Sequence, residues 1–123
     1  MKMLVISVLC ICLTSGGLTH LYDIYINGFL PYKFVPFWLN AYWTSLGLLD
    51  FIAAYLLIRK LKIGIFLMLA IMFSDVIINS CAYYFWGFID HAFPLQLQSA
   101  FLGFALASSV LLWKNENTIE FNK

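Results

Sequence analysis

The chain has 123 residues, of which 63% are hydrophobic and 11% are charged, and its mean hydropathy is +0.91. A soluble domain of this length is about half apolar and about a quarter charged, so this chain could not cover itself with polar surface in water. The formal net charge of +1 excludes the strong basic field expected of a nucleic-acid-binding protein. Together these properties favour one compact domain embedded in a lipid bilayer.

Four apolar stretches are each long enough to cross a hydrocarbon layer, which takes about 20 residues of helix. In chain order they cover residues 3–25, 37–58, 63–86 and 94–113. The sequence therefore predicts an all-α fold, a polytopic membrane protein whose residues 1–113 form a four-helix transmembrane bundle. Residues 114–123 are expected to form a polar cytoplasmic tail that frays.

Three short segments separate the predicted helices. The first contains Pro31 and Pro36, and proline lacks the N–H donor that a helix interior needs. The second is the basic segment 59–62, and the third covers residues 87–93, with Pro94 placed to open the last helix. Helices one and three are thus expected to run in one direction, and helices two and four in the other.

Basic residues mark the cytoplasmic side of a membrane protein. Five of those near the spans fall on one side of the four-span arrangement, and only Lys33 falls on the other. The five are Lys2, Arg59, Lys60, Lys62 and Lys114. Both termini are therefore predicted to be cytoplasmic, in a multi-pass protein of the cell membrane, which is the inner membrane if the source is bacterial.

The first span has one competing interpretation. Lys2, a short apolar run and the small residues 14–17 resemble a secretory signal peptide. A signal core is only about 7–15 residues long, however, whereas here the apolar character continues through Leu18 and Leu21 to Tyr25. We therefore favour a retained first helix.

Each predicted helix carries polar or small residues along one face, because they recur at helical spacings. These faces comprise Gly16, His20, Asp23 and Asn27 in the first helix, Asn40, Thr44, Gly47, Asp50 and Ala54 in the second, Met72, Asp75, Asn79 and Trp86 in the third, and Gln96, Ser99, Gly103 and Ala107 in the fourth. Small residues let backbones approach and polar groups bond across helices, so all four faces are expected to point inward. The pattern predicts a polar cleft, open or nearly open to the outside and floored by Asp50 and Asp75.

Three carboxylates, Asp23, Asp50 and Asp75, lie within the apolar spans with no lysine or arginine beside them. An ionised carboxylate costs several kcal/mol at the bilayer centre unless something neutralises it. Four states remain open: the acids are protonated, they lie in water, they accept hydrogen bonds from amides and hydroxyls, or they hold a cation. Asp50 and Asp75 are predicted at similar depth, so they are either a pair that titrates jointly or a structural clamp between two helices.

His20 and Asp23 are three residues apart on a helix, so their side chains can meet. A carboxylate can orient an imidazole as a base or as a metal ligand. Asp90 and His91 are predicted near the same cleft mouth, and two His with two Asp could bind zinc, or two His haem. No recognised metal spacing is present, however. An ordinary polar cluster is therefore the favoured interpretation, with no metal and no cofactor.

The order of His20, Asp23, Leu30-Pro31 and the segment Pro36-Phe37-Trp38 resembles the opening of EXPERA-type membrane proteins. Those are small helical bundles with buried acids, and the resemblance implies a sterol-like or cationic amphiphilic ligand. It covers barely the first third of the chain, and the spacing of the acids departs from the family pattern. Small multidrug carriers share the size and span count, but they use a glutamate in the first span that this chain lacks.

The leading functional hypothesis is a membrane protein that binds or transports a small cationic or amphipathic solute, or protons. The candidate ligand- or proton-binding residues are His20, Asp23, Asn40, Asp50, Asp75, Asn79 and Gln96. One alternative is an intramembrane enzyme that uses His20 or an acid pair for proton transfer on a lipid-like substrate, with no catalytic residue assigned. Another is a non-catalytic subunit or assembly factor. The expected partners are the bilayer and the ligand, not nucleic acid. A homodimer is also compatible with the small volume that four short helices enclose.

Overall fold

The fold was obtained as a computed structural model, which describes the backbone of residues 1–121 and the side chains of residues 1–114. Over these residues the chain forms four α-helices, namely α1 Lys2–Asn27, α2 Phe37–Arg59, α3 Leu61–Tyr84 and α4 Phe93–Phe121. All four are long and apolar enough to cross a membrane, α4 through its part Phe93–Lys114. The predicted all-α, four-helix architecture is confirmed, and it is consistent with a multi-pass membrane protein.

The last helix runs further than the sequence predicts. It continues past residue 113 to Phe121, through most of the segment that was expected to be a frayed tail. Residues 114–121 contain neither glycine nor proline, so nothing in the local sequence stops the helix after the apolar run ends. The last two residues of the predicted tail lie outside the described part of the chain.

The connection between α2 and α3 is a single residue, Lys60. Such a tight reversal brings the two backbones together, and a Cβ placed on Gly64 would lie 2.6 Å from the carbonyl carbon of Leu56. Only glycine fits this approach without moving one helix. The contact fixes the angle at which α3 leaves α2, and with it the relative height of the polar residues on the two helices.

The helices pack in the order of the chain. α1 packs along α2, α2 along α3 and α3 along α4, whereas α4 makes only a few contacts with α1. Within the described residues, α1 and α3 do not pack on each other, and neither do α2 and α4. The bundle is therefore a ring of four helices with one weakly closed seam, between α1 and α4.

The polar faces of α2 and α3 point inward as predicted. All five residues of the α2 face, from Asn40 to Ala54, are buried, and so are Met72, Asp75 and Asn79 on α3. Trp86 lies beyond the end of α3 and is exposed. On α1 the face is half-buried at Gly16, His20 and Asp23, and Asn27 is exposed at its end.

The predicted inward face of α4 is wrong. Its members Gln96, Ser99, Gly103 and Ala107 are all exposed, and a Cβ on Gly103 would meet no atom within 4 Å. The helix instead points a different series of residues inward. They are spaced alternately three and four residues apart, and each is buried or half-buried. That series is Leu95, Gln98, Leu102, Ala105, Ser109 and Leu112.

The physical reason is that the small polar residues of α4 do not need partners on other helices. Ser99 donates its hydroxyl hydrogen to the Leu95 carbonyl at 2.8 Å, and Ser109 does the same to Ala105 at 2.6 Å. A serine that bonds back to its own helix no longer decides which face points inward. The leucines determine the inward face instead, and they lie one residue, or about 100° around the helix, from the predicted face.

Candidate functional site

A cavity of about 660 Å³ lies inside the bundle and is lined by residues of all four helices and both long loops. Its volume falls in the range of about 300–1,000 Å³ that is typical of small-molecule sites. Much of the wall is apolar and includes Ile11, Leu13, Ile71, Met72 and Phe101. The expected polar cleft is therefore an apolar cavity with a small number of polar groups set into its wall.

Five of the seven predicted binding residues line this cavity, and two do not. The lining residues are His20, Asp23, Asp50, Asp75 and Asn79. Asn40 is buried elsewhere, and Gln96 lies in a separate shallow depression with Ser80, Tyr84 and Ser99. Further polar residues that the sequence reasoning did not select also line the cavity, among them Tyr32, Trp43 and Gln98.

Asp50 is the least compensated group in the cavity. Its side chain is only 7% exposed, and among the described residues no hydrogen-bond donor reaches its carboxylate. The carboxylate lies against α1 at Gly16, where an added Cβ would be 2.9 Å from Oδ2. The glycine is therefore what makes room for the acid between the two helices. A buried carboxylate without a donor is costly until a proton or a cation neutralises it.

Asp75 is in a different situation, because it belongs to a network of amide bonds. Asn79 donates from Nδ2 to Asp75 Oδ1 at 3.0 Å and to Gln98 Oε1 at 2.9 Å, and it accepts from Trp43 Nε1 at 2.8 Å. This network joins α2, α3 and α4. Asp75 is thereby oriented by the protein itself, and it is close enough to interact electrostatically with Asp50.

The open question of an acid pair is answered in part by these contacts. Within the described residues no hydrogen bond joins Asp50 to Asp75, so the two acids do not form a direct clamp between α2 and α3. The clamp is made by Asn79 and Trp43 instead. Asp50 is left as the carboxylate that faces the cavity without a protein donor.

A second polar cluster lies nearer the loops that join α1 to α2 and α3 to α4, an end of the bundle that we call the loop end. Tyr32 donates its hydroxyl hydrogen to Asp23 Oδ2 at 2.7 Å, and the hydroxyl oxygen of Tyr32 lies 2.8 Å from His20 Nδ1. His20 and Asp23 are thus joined through Tyr32. Because the single phenol hydrogen goes to Asp23, the hydrogen between Tyr32 and His20 must be on Nδ1. In the neutral imidazole this leaves the lone pair on Nε2.

The hydroxyl of Tyr32 keeps this role over the physiological pH range. Burial raises the pKa of Tyr32, and the hydrogen bond to Asp23 raises it further. The unperturbed value is already about 10, so the phenol stays protonated and continues to donate. The cluster is therefore a fixed support for His20 and not a switch based on the phenol.

Asn40 holds the loop that carries Tyr32. Its Oδ1 accepts from the Tyr32 backbone N–H at 3.1 Å, and its Nδ2 donates to the Leu30 carbonyl at 3.1 Å. Thr44 donates to the same Oδ1 at 3.3 Å. Leu30 has a φ of 57°, which is strained for a residue with a side chain, and the Asn40 amide holds the backbone on both sides of Pro31. Asn40 was predicted to contact the ligand, but it positions the tyrosine that supports the site.

The loop residues considered for metal binding do not reach the cavity. Asp90 and His91 are exposed in the segment between α3 and α4, and neither lines the cavity. Over the part of the chain that the structure describes, no three His, Cys, Asp or Glu side chains are grouped as a metal ion would need.

Tyr32 and Gln98 were missed by sequence reasoning for two different reasons. Tyr32 is in a loop, where helical periodicity gives no information about direction. Gln98 was missed because the inward face of α4 was assigned one residue away. The amphipathic pattern of α4 did contain the signal, since Gln98 belongs to the leucine series and Gln96 does not. No family model, curated protein or solved structure matches this chain.

Proposed function

We propose that this chain is a multi-pass protein of the cell membrane, with both termini cytoplasmic, that binds or carries a small cationic amphipathic solute in its cavity. The observation that supports this most is the carboxylate of Asp50, buried at the cavity wall without a protein donor. A cationic nitrogen beside it would replace the missing hydrogen bonds and neutralise the charge. Hydrogen bonds to a charged group contribute about 1.5–3 kcal/mol each.

The rest of the cavity fits the apolar part of such a solute. Its wall carries aliphatic and aromatic side chains, and only a few polar groups interrupt it. Burial of apolar surface contributes about 25 cal/mol per Å², so a hydrocarbon chain supplies affinity and the carboxylate supplies selectivity. Proton transport alone would not need an apolar cavity of about 660 Å³.

His20 offers a second polar contact. It lies one helical turn, or about 6 Å, from Gly16 along α1, and Gly16 is the residue that Asp50 faces. The Nε2 lone pair inferred for the neutral imidazole would accept a hydrogen bond from a hydroxyl or a second amine of the solute. The preferred solute therefore has a cationic nitrogen at Asp50 and, about one turn away, a hydrogen-bond donor.

The membrane assignment is supported by the four apolar helices and by the distribution of lysine and arginine. Arg59, Lys60 and Lys62 lie at the α2–α3 connection, at the end of the bundle opposite the loop end. Lys2 begins α1 at that same end. By the positive-inside rule this end faces the cytoplasm and the loop end faces outward.

The direct test is the affinity of phosphatidylcholine nanodiscs containing the protein for N,N-dimethyldodecylamine, compared with the neutral dodecanol. Asp50→Asn keeps the shape of the side chain and removes the charge. We expect it to weaken amine binding by about tenfold or more, the equivalent of one charged hydrogen bond, and to leave dodecanol binding unchanged. Asp90→Asn, in the exposed loop, is the matched control. Equal amine affinity in wild type and Asp50→Asn would refute the proposal.

One observation favours a second candidate function. The chain from Asp23 through Tyr32 to His20 orients the imidazole with its free nitrogen available beside a cavity, as a general base requires. An intramembrane enzyme acting on a lipid-like substrate would use this arrangement. This enzymatic activity is tested by mass spectrometry of the bilayer lipids after incubation with the protein. Formation of a product that is lost in His20→Gln but retained in Asp50→Asn would indicate catalysis.

A further inference from the structure

The loop end of the cavity is covered by side chains. Tyr32 is bonded to both Asp23 and His20 across this end. The ring of Phe34 lies 6.5 Å from that of Tyr32 and 6.4 Å from that of Trp43, measured between centroids. Ile89, from the other loop, lines the cavity and packs against the core. A solute arriving from the aqueous side would have to separate these contacts.

The side of the cavity between α1 and α4 is much less closed. α4 makes only a few contacts with α1, in contrast to every consecutive helix pair. Cavity-lining residues that are also exposed show where the cavity comes close to the surface. At the loop end these are Phe34 and Pro94, and the ring of Phe34 packs there against Tyr32 and Trp43. Along the seam, such residues occur on both helices. Ile11 is 64% exposed, Ser15 and Thr19 are exposed on the same side of α1, and Leu97 on α4 is 56% exposed.

The mouth of the cavity at this seam extends along the middle of a membrane-spanning helix. Ile11 and Thr19 are eight positions apart, or about 12 Å of helix, well inside the 26 residues of α1. The two hydroxyls on this stretch are bonded back to their own helix, Ser15 to the Ile11 carbonyl at 2.8 Å and Thr19 to the Ser15 carbonyl at 3.0 Å. The mouth therefore presents no unsatisfied polar group to hydrocarbon.

From this geometry we propose that the cavity is loaded sideways, from the hydrocarbon layer, through the seam between α1 and α4. The solute is then a lipid-dissolved amphiphile, and a small water-borne cation is excluded. The class of ligand rests on the proposed function, whereas the lateral opening is a property of the helices alone. Asp50 is reached only after the apolar part of the molecule has entered between the two helices.

Trp43 provides a probe for the opening, because it lines the cavity but is only 6% exposed. The experiment uses a chain in which Trp38, Trp86 and Trp113 are changed to Phe, placed in vesicles of phosphatidylcholine with brominated acyl chains, which quench tryptophan on contact. We expect clear quenching of Trp43 relative to vesicles with unbrominated chains. If the triple variant does not fold, the difference in quenching between wild type and Trp43→Phe gives the same information.

Two substitutions on α1 then locate the route. Ser15→Phe adds a ring at the mouth and is expected to reduce the quenching of Trp43 by about half or more, because the ring fills the space through which an acyl chain would enter. Leu18→Phe adds a ring at a position that is exposed but does not line the cavity, and it should leave the quenching unchanged. Absence of quenching, or an equal effect of both substitutions, would overturn the lateral route.

The outcomes also separate this inference from the proposed function. Quenching of Trp43 together with unchanged amine binding in Asp50→Asn would leave the opening established and refute the cationic ligand. Weakened amine binding in Asp50→Asn without quenching of Trp43 would leave the ligand established and show that it enters at the loop end. A faster association of N,N-dimethyldodecylamine than of butylamine, slowed by Ser15→Phe alone, supports both.

Discussion

Gly16→Ala is the substitution that best separates the site from the stability of the fold. The added Cβ would lie 2.9 Å from Oδ2 of Asp50, and the next nearest atom, Cγ of the same residue, is at 3.9 Å. The carboxylate must therefore move by about 0.5 Å, the difference between 3.4 and 2.9 Å, and no backbone atom has to move. The steric cost should be at the lower end of about 1–3 kcal/mol, and the better helix propensity of alanine offsets about 0.5–1 kcal/mol of it.

The same shift should have a much larger effect on binding. A carboxylate displaced from the space beside Gly16 loses part of a charged contact of about 1.5–3 kcal/mol. The affinity for N,N-dimethyldodecylamine should therefore fall about tenfold. Denaturation by SDS measures stability and calorimetry in nanodiscs measures binding. Gly103→Ala is the matched control, because no atom lies within 4 Å of its Cβ position. Unchanged amine affinity in Gly16→Ala would show that the position of Asp50 does not govern the site.

Three further predictions concern the support of the cavity. Gly64→Ala places a Cβ 2.6 Å from a backbone carbon of Leu56, which cannot rotate away, so it should lower the unfolding free energy by about 2–3 kcal/mol; a neutral result in SDS titration would contradict the tight α2–α3 contact. Asn40→Ala removes both amide bonds to the loop between α1 and α2 and should make that loop a site of rapid proteolysis, whereas protection equal to wild type would count against its role. Tyr32→Phe keeps the ring but removes both hydroxyl contacts, and should cost about 1–2 kcal/mol and broaden the NMR signals of His20; sharp, unshifted signals would show that the hydroxyl does not hold the imidazole.

The fold was largely predictable from the sequence because its signals are long and redundant. Twenty or more apolar residues between proline-containing or charged breaks define each helix, and the helix ends were predicted to within two residues except at the end of α4. The inward faces of α2 and α3 were predictable for a physical reason. Asp50, Asp75 and Asn79 have large desolvation costs, so only one orientation of each helix keeps them out of lipid.

The candidate site was less predictable where the deciding contacts are not periodic. The position of Tyr32 depends on a loop held by Asn40, and no spacing rule places a loop side chain over a helix face. The leucines, and not the serines, determine which face of α4 points inward. The serine hydroxyls donate to carbonyls of their own helix and need no partner on another helix. The space for the Asp50 carboxylate depends on Gly16. The sequence identified Gly16 as a small residue on the inward face of α1, but it could not show which residue of another helix packs against it.

The contact between Asp50 and a cationic solute is tested most directly by solid-state NMR of the reconstituted protein. The measurement is made between nitrogen-15 of labelled N,N-dimethyldodecylamine and the carbon-13 carboxyl carbons of aspartate. We expect strong dephasing of one carboxyl signal, because the nitrogen would lie within about 4 Å of a carboxylate oxygen. That signal should be absent in Asp50→Asn and present in Asp90→Asn. A bound amine that dephases no aspartate signal, or one that still dephases the same signal in Asp50→Asn, would contradict a contact with Asp50.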